Sequence, residues 1–389
     1  MAKRMYTSVD GKARLVKKMY TGVSGVARKV KKAYVGVGGV ARAFYTSGPE
    51  LIYRGTVTPL SYSSKDQRGA SVGEYIIIGG GRHYLQTNVT TYINSADVNA
   101  YNKSMVRTVI GSLSVARGNG ACGSFNNRVM FIGGDGDTNA GKTVDTYTSD
   151  LVLSVLSPNL SIGHYRANCV SNDKYIFVMN TVSPYTNTPI AFNSNFVATS
   201  YTLPNKITKA GLTKVGKYLL VGGGTASTSS NYLNTVYAFD ENLTRTTCAP
   251  LTIARSLEHN GAYTKKHALF CSGSNFFGDD TDISVCEAYN ENLIQSIASN
   301  YVGSSSGVYD PDSTGYVEND KSSLALIMSR PNYVGYYDDN LIFNKFNLSG
   351  KYLEPSYFKP VSNGCEVLIT QYESAGYTPT STLHRISFV

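Results

Sequence analysis

Histidine and cysteine, the side chains most often used for metal binding and nucleophilic chemistry, are sparse in this sequence. The five histidines show no HxH or HExxH spacing, and none lies at metal-ligand spacing from a cysteine. No two cysteines form a CxxC pair, so we expect free thiols and assembly in a reducing cytoplasm. The cysteines are Cys122, Cys169, Cys248, Cys271, Cys286 and Cys365. This pattern predicts a protein without a metal, a cofactor or catalytic residues.

Arginine offers the next candidate chemistry. Four arginines each precede an expected innermost strand by a few residues: Arg68, Arg117, Arg166 and Arg255. They would either form a central basic ring that binds a carboxylate or phosphate, or join adjacent structural units. Their repetition at nearly the same repeat position favours the second interpretation. Glycine triplets at residues 79–81 and 222–224 end strands instead of opening helices, which excludes a phosphate-binding loop.

The composition indicates the class of fold that must position these residues. Apolar residues make up 42% of the chain and charged residues only 16%, which supports a large packed core. The 37 glycines and 30 tyrosines, with no tryptophan, are typical of turn-rich β-structure. No apolar run approaches the ~20 residues of a membrane span, and no apolar segment follows the N-terminal charges. We therefore expect a soluble protein that is not exported by a signal peptide and has no membrane partner.

The net charge of +9 is concentrated at the N-terminus. Residues 1–47 contain 11 of the 36 Lys and Arg residues and a single acid, Asp10, so this arm carries +10 and the remaining chain −1. A nucleic-acid enzyme would carry its basic patch on the body, so no nucleic-acid partner is expected. We interpret the arm as a docking segment, and a solvated basic tail is the alternative.

A 14-residue repeat runs through this arm. The repeated tyrosines and arginines, which we take as the docking residues, are Tyr6, Arg14, Tyr20, Arg28, Tyr34 and Arg42. Two-residue hairpin turns are predicted between β-branched or aromatic stretches, at Asp10-Gly11, Ser24-Gly25 and Gly38-Gly39. A helix is the alternative, although the glycines would limit it to about two turns. We predict a β-meander that becomes ordered only against a partner surface.

A second, longer repeat organises the rest of the chain. Its first element is an aromatic residue, a short polar stretch and then Leu, Met or Phe, which predicts a tight turn between two strands. The six copies begin at Tyr101, Tyr147, Phe192, Phe239, Tyr289 and Tyr337, at intervals of 45 to 50 residues. Its second element is an apolar strand upstream of the turn. The seven copies of this strand begin at Tyr75, Val129, Tyr175, Tyr218, Ala268, Leu324 and Val367.

Seven strands but only six turns indicate how the chain closes. A lengthened version of the turn, residues 45–51, precedes the strand LIYRGTVTPL, and the chain stops at LHRISFV, where a seventh turn is due. We therefore expect the N-terminal segment to supply the outer strand of the last unit, which closes a ring and hides its sheet edges. The predicted fold is all-β, a seven-bladed β-propeller over residues 45–389 preceded by the basic arm over residues 1–44. An open solenoid is the alternative.

This body resembles kelch repeats in its period, in its apolar strands that end in double glycine, and in its aromatic-Asp turns. Double glycines occur at residues 79–80, 133–134 and 222–223, and the aromatic-Asp pair at Phe239-Asp240 and Tyr337-Asp338. The double glycine is lost at Met179-Asn180, at Cys271-Ser272 and in the unit around Ile327, and Leu, Met or Phe replaces the tryptophan of the family throughout. The resemblance implies a kelch-like seven-bladed propeller but no particular activity, because propellers host unrelated functions.

The arm also has a resemblance. Its tandem Y-x-G-V-x-G-V-A-R units, over residues 3–47, are similar to N-terminal segments on structural proteins of tailed phages that infect Gram-positive bacteria. Together with the kelch-like body, this resemblance implies a virion protein of the tail or baseplate, made in the host cytoplasm and present in multiple copies. The arm would dock to other virion proteins.

Polar loops rich in Tyr and Asn follow corresponding strands and should share one face of the propeller. They span residues 82–88, 135–142, 181–188, 225–231 and 274–282. Such loops bind glycans through ring stacking and amide hydrogen bonds, or are ordinary solvated connections. The candidate ligand-binding residues are Tyr84, Tyr185, Asn187, Tyr232 and Phe276.

These patterns favour a non-catalytic virion protein whose propeller binds a host-surface ligand, such as a glycan, or another virion subunit. One alternative is a carbohydrate-active enzyme with two carboxylates facing each other in a cleft. The candidates for that pair are Asp279, Asp280, Asp282 and Glu287. The other alternative is a purely structural capsid or collar protein.

Overall fold

The chain divides into two compact units, Met1–Glu50 with Val389, and Leu51–Phe388. The computed structural model describes residues 6–9, 12–15, 20–23, 26–30, 32–37, 40–46, 51–62, 64–84, 92–136, 140–156, 160, 163–180, 188–226, 231–257, 261–271, 273, 285–299, 313–318, 322–329, 333–347, 361–372 and 379–388. Among these residues, no helix has the length and hydropathy needed to cross a membrane.

The first unit contains three antiparallel β-hairpins, each forming its own two-stranded sheet. Their strands are β1 (Tyr6–Val9), β2 (Lys12–Leu15), β3 (Tyr20–Val23), β4 (Val26–Lys29), β5 (Lys32–Val37) and β6 (Val40–Thr46). The register leaves two residues between the last paired positions of each hairpin, at the places where turns are predicted. The turn residues lie outside the described part of the chain. Within the described strands no ladder joins successive hairpins, so the arm is a series of hairpins instead of the predicted meander.

The second unit is built from short strands and one 3-10 helix at Ala140–Lys142. Its first half contains β7 (Leu51–Val57), β8 (Ser64–Lys65), β9 (Arg68–Val72), β10 (Tyr75–Gly79), β11 (Arg82–Tyr84), β12 (Tyr92–Asn94), β13 (Val98–Tyr101), β14 (Arg107–Ile110), β15 (Arg117–Gly118), β16 (Ala121–Phe125), β17 (Arg128–Ile132), β18 (Asp135–Gly136), β19 (Val144–Thr148), β20 (Leu153–Val155), β21 (Ala167–Ser171), β22 (Tyr175–Asn180), β23 (Ile190–Asn193) and β24 (Ala198–Ser200). Its second half contains β25 (Ile207–Thr208), β26 (Gly211–Val215), β27 (Tyr218–Gly222), β28 (Thr225–Ala226), β29 (Val236–Phe239), β30 (Arg245–Thr247), β31 (Gly261–Tyr263), β32 (His267–Cys271), β33 (Cys286–Asn290), β34 (Gln295–Ile297), β35 (Ser313–Glu318), β36 (Ser323–Ser329), β37 (Tyr333–Asp338), β38 (Phe343–Asn347), β39 (Val361–Ser362), β40 (Glu366–Tyr372) and β41 (Pro379–Phe388).

Seven four-stranded antiparallel sheets form the blades of a β-propeller, which confirms the predicted fold. In chain order the blades are β9-β10-β13-β14, β16-β17-β19-β20, β21-β22-β23-β24, β26-β27-β29-β30, β31-β32-β33-β34, β35-β36-β37-β38 and β39-β40-β41-β7. The first strand of each blade contacts the first strands of both neighbouring blades, and the circle closes where β39 contacts β9. These first strands therefore surround the axis of the ring.

Blade 7 takes its outer strand from the front of the chain, as predicted. β7 pairs with β41, with Leu51 opposite Phe388 and Val57 opposite Leu383. Leu51 and Phe388 belong to one buried apolar cluster with strands of blade 6. The structure differs from the sequence-based prediction in one detail: Tyr45, placed in the propeller by its turn-like motif, pairs with Ala33 in the third hairpin of the arm.

Tight turns join the third and fourth strands of blades 1 to 6 at the six predicted motifs. The last residue of each motif has a φ between +58° and +62°: Met105, Leu151, Phe196, Leu243, Leu293 and Leu341. The residue after the aromatic one accepts backbone N–H groups with its side-chain oxygen. Asp240 Oδ1, for example, accepts from Asn242 and Thr244 at 2.8 Å. This local hydrogen bonding is the reason that Asn and Asp favour turns.

The aromatic residue of the motif joins its blade to the connection that enters it. Four buried tyrosine hydroxyls donate to backbone carbonyls of these connections at 2.5–3.0 Å: Tyr101 to Thr58, Tyr147 to Gly111, Tyr289 to Ala249 and Tyr337 to Ser299. Burial raises the pKa of all four, so each hydroxyl remains a donor across the ordinary pH range. Phe192 and Phe239 fill the position in blades 3 and 4 without this hydrogen bond.

The double glycines have a steric explanation. Gly134 donates its N–H to the carbonyl of His164, in the connection that enters the next blade, at 2.8 Å. A Cβ at Gly133 would lie 2.3 Å from that carbonyl oxygen, and its φ of +62° also disfavours a side chain. Gly81 and Gly224 make the equivalent bonds to Arg117 and Arg255.

Cys271 and Cys286 form a disulfide, so the expectation of free thiols is wrong for this pair. Cys271 ends β32, Cys286 opens β33, and the register places the two directly opposite each other. Both side chains are fully buried. Cys271 and Cys286 are 15 residues apart in the sequence, so they do not have the CxxC spacing on which the prediction was based. No disulfide joins the other four cysteines.

Deleting residues 1–44 is expected to leave the propeller folded, because the ring-closing strand β7 is retained. Deleting residues 1–62 removes β7, the buried Leu60 and the carbonyl partner of Tyr101, and exposes two sheet edges. We therefore expect the thermal midpoint, followed by circular dichroism, to fall strongly only in the longer deletion. Equal midpoints for the two variants would contradict the closure.

Candidate functional site

The antiparallel order of the strands determines which loops share a face. In every blade the connection between the second and third strands leaves the same end of the sheet, and the turn between the third and fourth strands leaves the other. We call the first end the loop-bearing face. The described parts of the candidate loops at residues 82–88, 135–142 and 225–231 belong to it.

Blade 1 carries an additional small sheet on the loop-bearing face. Beyond the glycine triplet, β11 pairs with both β8 and β12, and we call these three strands the blade 1 extension. Blades 2 and 4 have two-stranded counterparts, β15 with β18 and β25 with β28. Among the described residues, the blade 1 extension is therefore the largest projection on this face.

Two of the five candidate ligand-binding residues lie in the described part of this face. Tyr84 ends β11 opposite Tyr92, and Tyr232 is partly buried and forms a β-bridge with Thr225. Tyr185, Asn187 and Phe276 lie outside the described residues.

The six docking residues of the arm occupy repeated register positions on the hairpins. Tyr6, Tyr20 and Tyr34 lie opposite Leu15, Lys29 and Ala43, and Arg14, Arg28 and Arg42 lie opposite Thr7, Thr21 and Val35. On each hairpin the tyrosine and the arginine pairs are adjacent along the ladder.

Exposed rings cluster on the blade 1 extension. Tyr62 is 55% exposed and stacks on His83 with 5.3 Å between ring centroids. Tyr92 is 45% exposed, with the Arg82 guanidinium 4.9 Å and the Lys65 ammonium 5.5 Å from its ring centroid. The extension thus presents aromatic surface on both of its sides.

Beneath these rings, Arg82 connects blades 1 and 2. Its Nη2 lies 2.5 Å from Asp135 in blade 2, and its Nε lies 3.2 Å from Asp66. Asn119 donates a further hydrogen bond to Asp135 at 3.0 Å. Burial raises the pKa of Asp66, and the positive charge of Arg82 opposes that rise. These contacts fix the base of the extension against the neighbouring blade.

Two of the four repeated arginines are structural. Arg117 is buried and pairs with Asp145 at 2.8 Å, and it also donates to the carbonyl of Phe131. Arg255 makes the same contacts with Glu287 and the carbonyl of Phe270. Both carboxylates also accept a backbone N–H from the connection that enters their blade, so each pair fixes that connection.

The other two arginines occupy different positions, which corrects the assumption of one shared repeat position. Arg68 lies at the start of β9 opposite Gly79, whereas Arg117 lies in β15 beyond the glycine bend. Arg166 is exposed, with a φ of +44°. Burial raises the pKa of Asp66, and the positive charges of Arg82, Arg68, Lys65 and Arg166 oppose that rise, so Arg68 and Arg166 both lie near this carboxyl.

Glu287 is excluded from the carboxylate pair of a glycosidase cleft. It is fully buried in β33, where Arg255 and the Thr252 hydroxyl hold it. The other members of that candidate set, Asp279, Asp280 and Asp282, lie outside the described residues. Within the described residues, no group of three or more His, Cys, Asp or Glu side chains is placed to hold a metal ion.

Tyr62, Tyr92 and Ile93 were missed in the sequence. They lie outside the loop ranges chosen there, since Tyr62 precedes β8 and Tyr92 opens β12. The signal that would have indicated Tyr92 and Ile93 is the length of the segment between β10 and β13, which is longer than a hairpin needs.

The fold defines the class: a seven-bladed β-propeller with a ring closed by its N-terminal strand. No protein-family model matches the sequence, and no curated protein matches it. Among solved structures with a similar fold is one described as "Structure of YjhT", at 12% identity and a TM-score of 0.48, covering 85% of this chain and 99% of that chain.

Replacing one member of a buried ion pair is expected to destabilise the propeller by about 3–5 kcal/mol, because the partner charge stays buried. Arg255→Met should show this loss in thermal or urea unfolding. Replacing both members, in Arg255→Met/Glu287→Leu, should recover most of it. An equal loss in the single and double variants would show that the charge pairing does not govern stability here.

Proposed function

We propose that the protein is a non-catalytic virion protein of a tailed phage, located on the tail or baseplate. Its arm docks to other virion proteins, and the loop-bearing face of its propeller binds a glycan of the host surface. The exposed rings of the blade 1 extension are the observation that carries the binding role. The resemblance of the arm to phage structural proteins carries the virion assignment.

Aromatic rings beside hydrogen-bonding groups are the combination that sugars require. The C–H faces of a sugar pack on an exposed ring, and neighbouring polar groups bind its hydroxyls. Tyr62 and Tyr92 provide rings, and His83, Lys65 and Arg82 lie beside them. Arg82 is held by two carboxylates, so this part of the surface is preorganised, which lowers the entropic cost of binding.

The docking role of the arm follows from its architecture. An isolated two-stranded hairpin is marginally stable in water, so three separate hairpins gain stability from a surface that covers them. The repeated register allows each hairpin to make the same contacts, and linked contacts of this kind add avidity. The charge of +10 favours an acidic partner surface.

Kelch-type repeats are part of this proposal. The double glycine admits the carbonyl of the next connection, and the aromatic-Asp turn holds the third and fourth strands together. Both features therefore perform a packing role in this chain, which supports a kelch-like origin of the blades.

The propeller body, residues 45–389, is expected to adsorb to intact host cells and to purified wall polymers. Tyr62→Ala and Tyr92→Ala should each weaken this adsorption by about 1–3 kcal/mol, because buried aromatic anchors dominate such interfaces. Tyr84→Ala and Tyr232→Ala test the sequence-derived candidates in the same assay. Adsorption should depend only weakly on salt, since the anchors are uncharged.

Ile294→Ala is the matched control, because Ile294 is 61% exposed in a turn on the opposite face. No adsorption of the folded body to cells or polymers would favour the structural collar. Release of shortened sugars from the polymer would favour the enzyme.

Deleting residues 1–44 is expected to leave a soluble protein that is missing from purified particles, because the hairpins make the docking contacts. Quantitative proteomics of virions would measure its copy number with and without the arm. Incorporation of the truncated protein at the normal copy number would contradict the docking role.

A further inference from the structure

The face opposite the loop-bearing face carries a ring of exposed β-branched side chains. On this side the third and fourth strands of blades 1 to 6 are joined by their turns, at the outer part of each sheet. We call these six turns the outer rim: residues 102–106, 148–152, 193–197, 240–244, 290–294 and 338–342. The last residue of each turn is exposed: Val106, Val152, Val197, Thr244, Ile294 and Ile342. The five apolar ones leave 41–61% of their surface in solvent.

The turns do not require apolar side chains at this position. The turn uses the backbone N–H of the residue, which donates to a side-chain oxygen four residues earlier, as Val197 donates to Asn193 at 3.1 Å. In blade 4, Thr244 makes the same hydrogen bond to Asp240 at 2.8 Å, so a polar residue suffices. Neither the turn nor the core therefore explains a ring in which five of six side chains are apolar, and a surface contact does.

The outer rim is also acidic. It contains six carboxylates and one ammonium: Asp150, Asp240, Glu241, Glu291, Asp338, Asp339 and Lys103. The rim thus carries −5, although the whole chain beyond the arm carries only −1. Within the described part of the chain, none of the six carboxylates forms an ion pair. The lysines of this face belong to turns between first and second strands, nearer the axis: Lys174, Lys217, Lys265 and Lys266.

The arm of a second copy of this chain has the matching chemistry. It carries +10, and its strands are rich in valine. Its hairpins repeat one 14-residue unit, and the turns of the outer rim repeat one backbone geometry, so successive hairpins can bind successive turns in the same way. Two bare rims would repel each other, whereas a rim and an arm attract. Charge complementarity therefore selects the arm as the occupant.

The entry of the chain into the propeller lies at the same rim. Leu51, the first residue of β7, pairs with Phe388 at the end of the third strand of blade 7. Third strands end on the side of the outer rim, so this entry point takes the place of a seventh turn. Two copies that face each other with their rims would therefore place the start of each arm beside the rim of the other.

We propose that the outer rim of one copy binds the basic arm of a second copy, and that two copies exchange their arms in this way. Such an exchange uses the same surface twice and closes a pair. The inference rests on the docking role proposed for the arm, and it names the partner of the arm. Glycan adsorption by the isolated body does not involve this contact, because residues 45–389 lack the arm.

Sedimentation equilibrium of the full-length protein over a range of concentrations tests this proposal. We expect reversible association that weakens about 10-fold between about 50 mM and about 300 mM sodium chloride, because opposite charges are screened. Glu291→Lys should weaken the association about 3- to 10-fold, since it places a positive charge on the rim. Asp173→Lys is the matched control: it reverses an exposed acid between β21 and β22, nearer the axis, and should associate as the unaltered protein does.

A second measurement uses the unaltered protein, so it does not depend on the folding of a variant. Equal amounts of ¹⁴N- and ¹⁵N-labelled full-length protein are mixed and treated with a carbodiimide, which couples carboxylates to lysines in contact. We expect cross-links between arm lysines and rim carboxylates, such as Glu241 and Glu291, that join a light peptide to a heavy one. Mass spectrometry distinguishes these from cross-links within one copy.

A full-length protein that stays monomeric at every concentration would overturn the proposal, as would equal association of Glu291→Lys and the unaltered protein. Cross-links confined to single copies would do the same, because the arm would then cover its own rim. The docking role of the arm is judged separately. If the full-length protein is monomeric but the 1–44 deletion is missing from particles, the arm docks to a different virion protein and only the self-association is wrong.

Discussion

Closure of the ring by β7 is the constraint on which the other features of the propeller depend. Without this strand, β41 would present an unpaired edge, and Leu51 would leave the apolar cluster that it shares with blades 6 and 7. The same junction carries the contact between blades 7 and 1, where Leu368 and Leu383 pack with Ile76 and Ile78. Because each blade buries its faces only against its neighbours, one open junction weakens two blades at once. The two ends of the propeller segment, β7 and β41, are thus held together by main-chain hydrogen bonds and by the core.

Within the closed ring, three kinds of polar contact fix the connection that enters a blade. A tyrosine hydroxyl donates to its carbonyl, a glycine N–H of the preceding blade donates to another, and a buried Arg–carboxylate pair caps it. Each contact satisfies a backbone or charged group that would otherwise be buried without a partner. Blades 2 and 5 have all three kinds, whereas blade 3 has His164 in place of the arginine and Phe192 in place of the tyrosine. The repeats therefore share a packing design but not every contact.

Much of this architecture could be predicted because the repeat recurs at the level of local chemistry. The turn motif needs only a residue that adopts a positive φ and a side-chain oxygen that accepts backbone N–H groups of the turn. Leu243 has the positive φ, and Asp240 provides the oxygen. Ring closure could be predicted because the sequence contains seven copies of the apolar strand but six copies of the turn motif. The disulfide could not be predicted from the sequence, because it depends on the register between β32 and β33. Tyr62 and Tyr92 were missed for a related reason: they flank the extension only because the glycine bend redirects the strands.

Comparing the blades with one another separates residues that packing explains from candidates for ligand binding. Arg117 and Arg255 repeat, and each has a carboxylate partner inside its own blade, so the fold alone explains them. Blade 1 differs from blade 2 in two ways. Its third strand carries Asn99 in place of the carboxylate, and its extension has three strands where blades 2 and 4 have two. The exposed rings of Tyr62 and Tyr92 therefore lie on the blade that carries the three-stranded extension. The packing of the blade does not require exposed rings at these two positions, in contrast to Arg117 and Arg255, whose burial and pairing the fold explains.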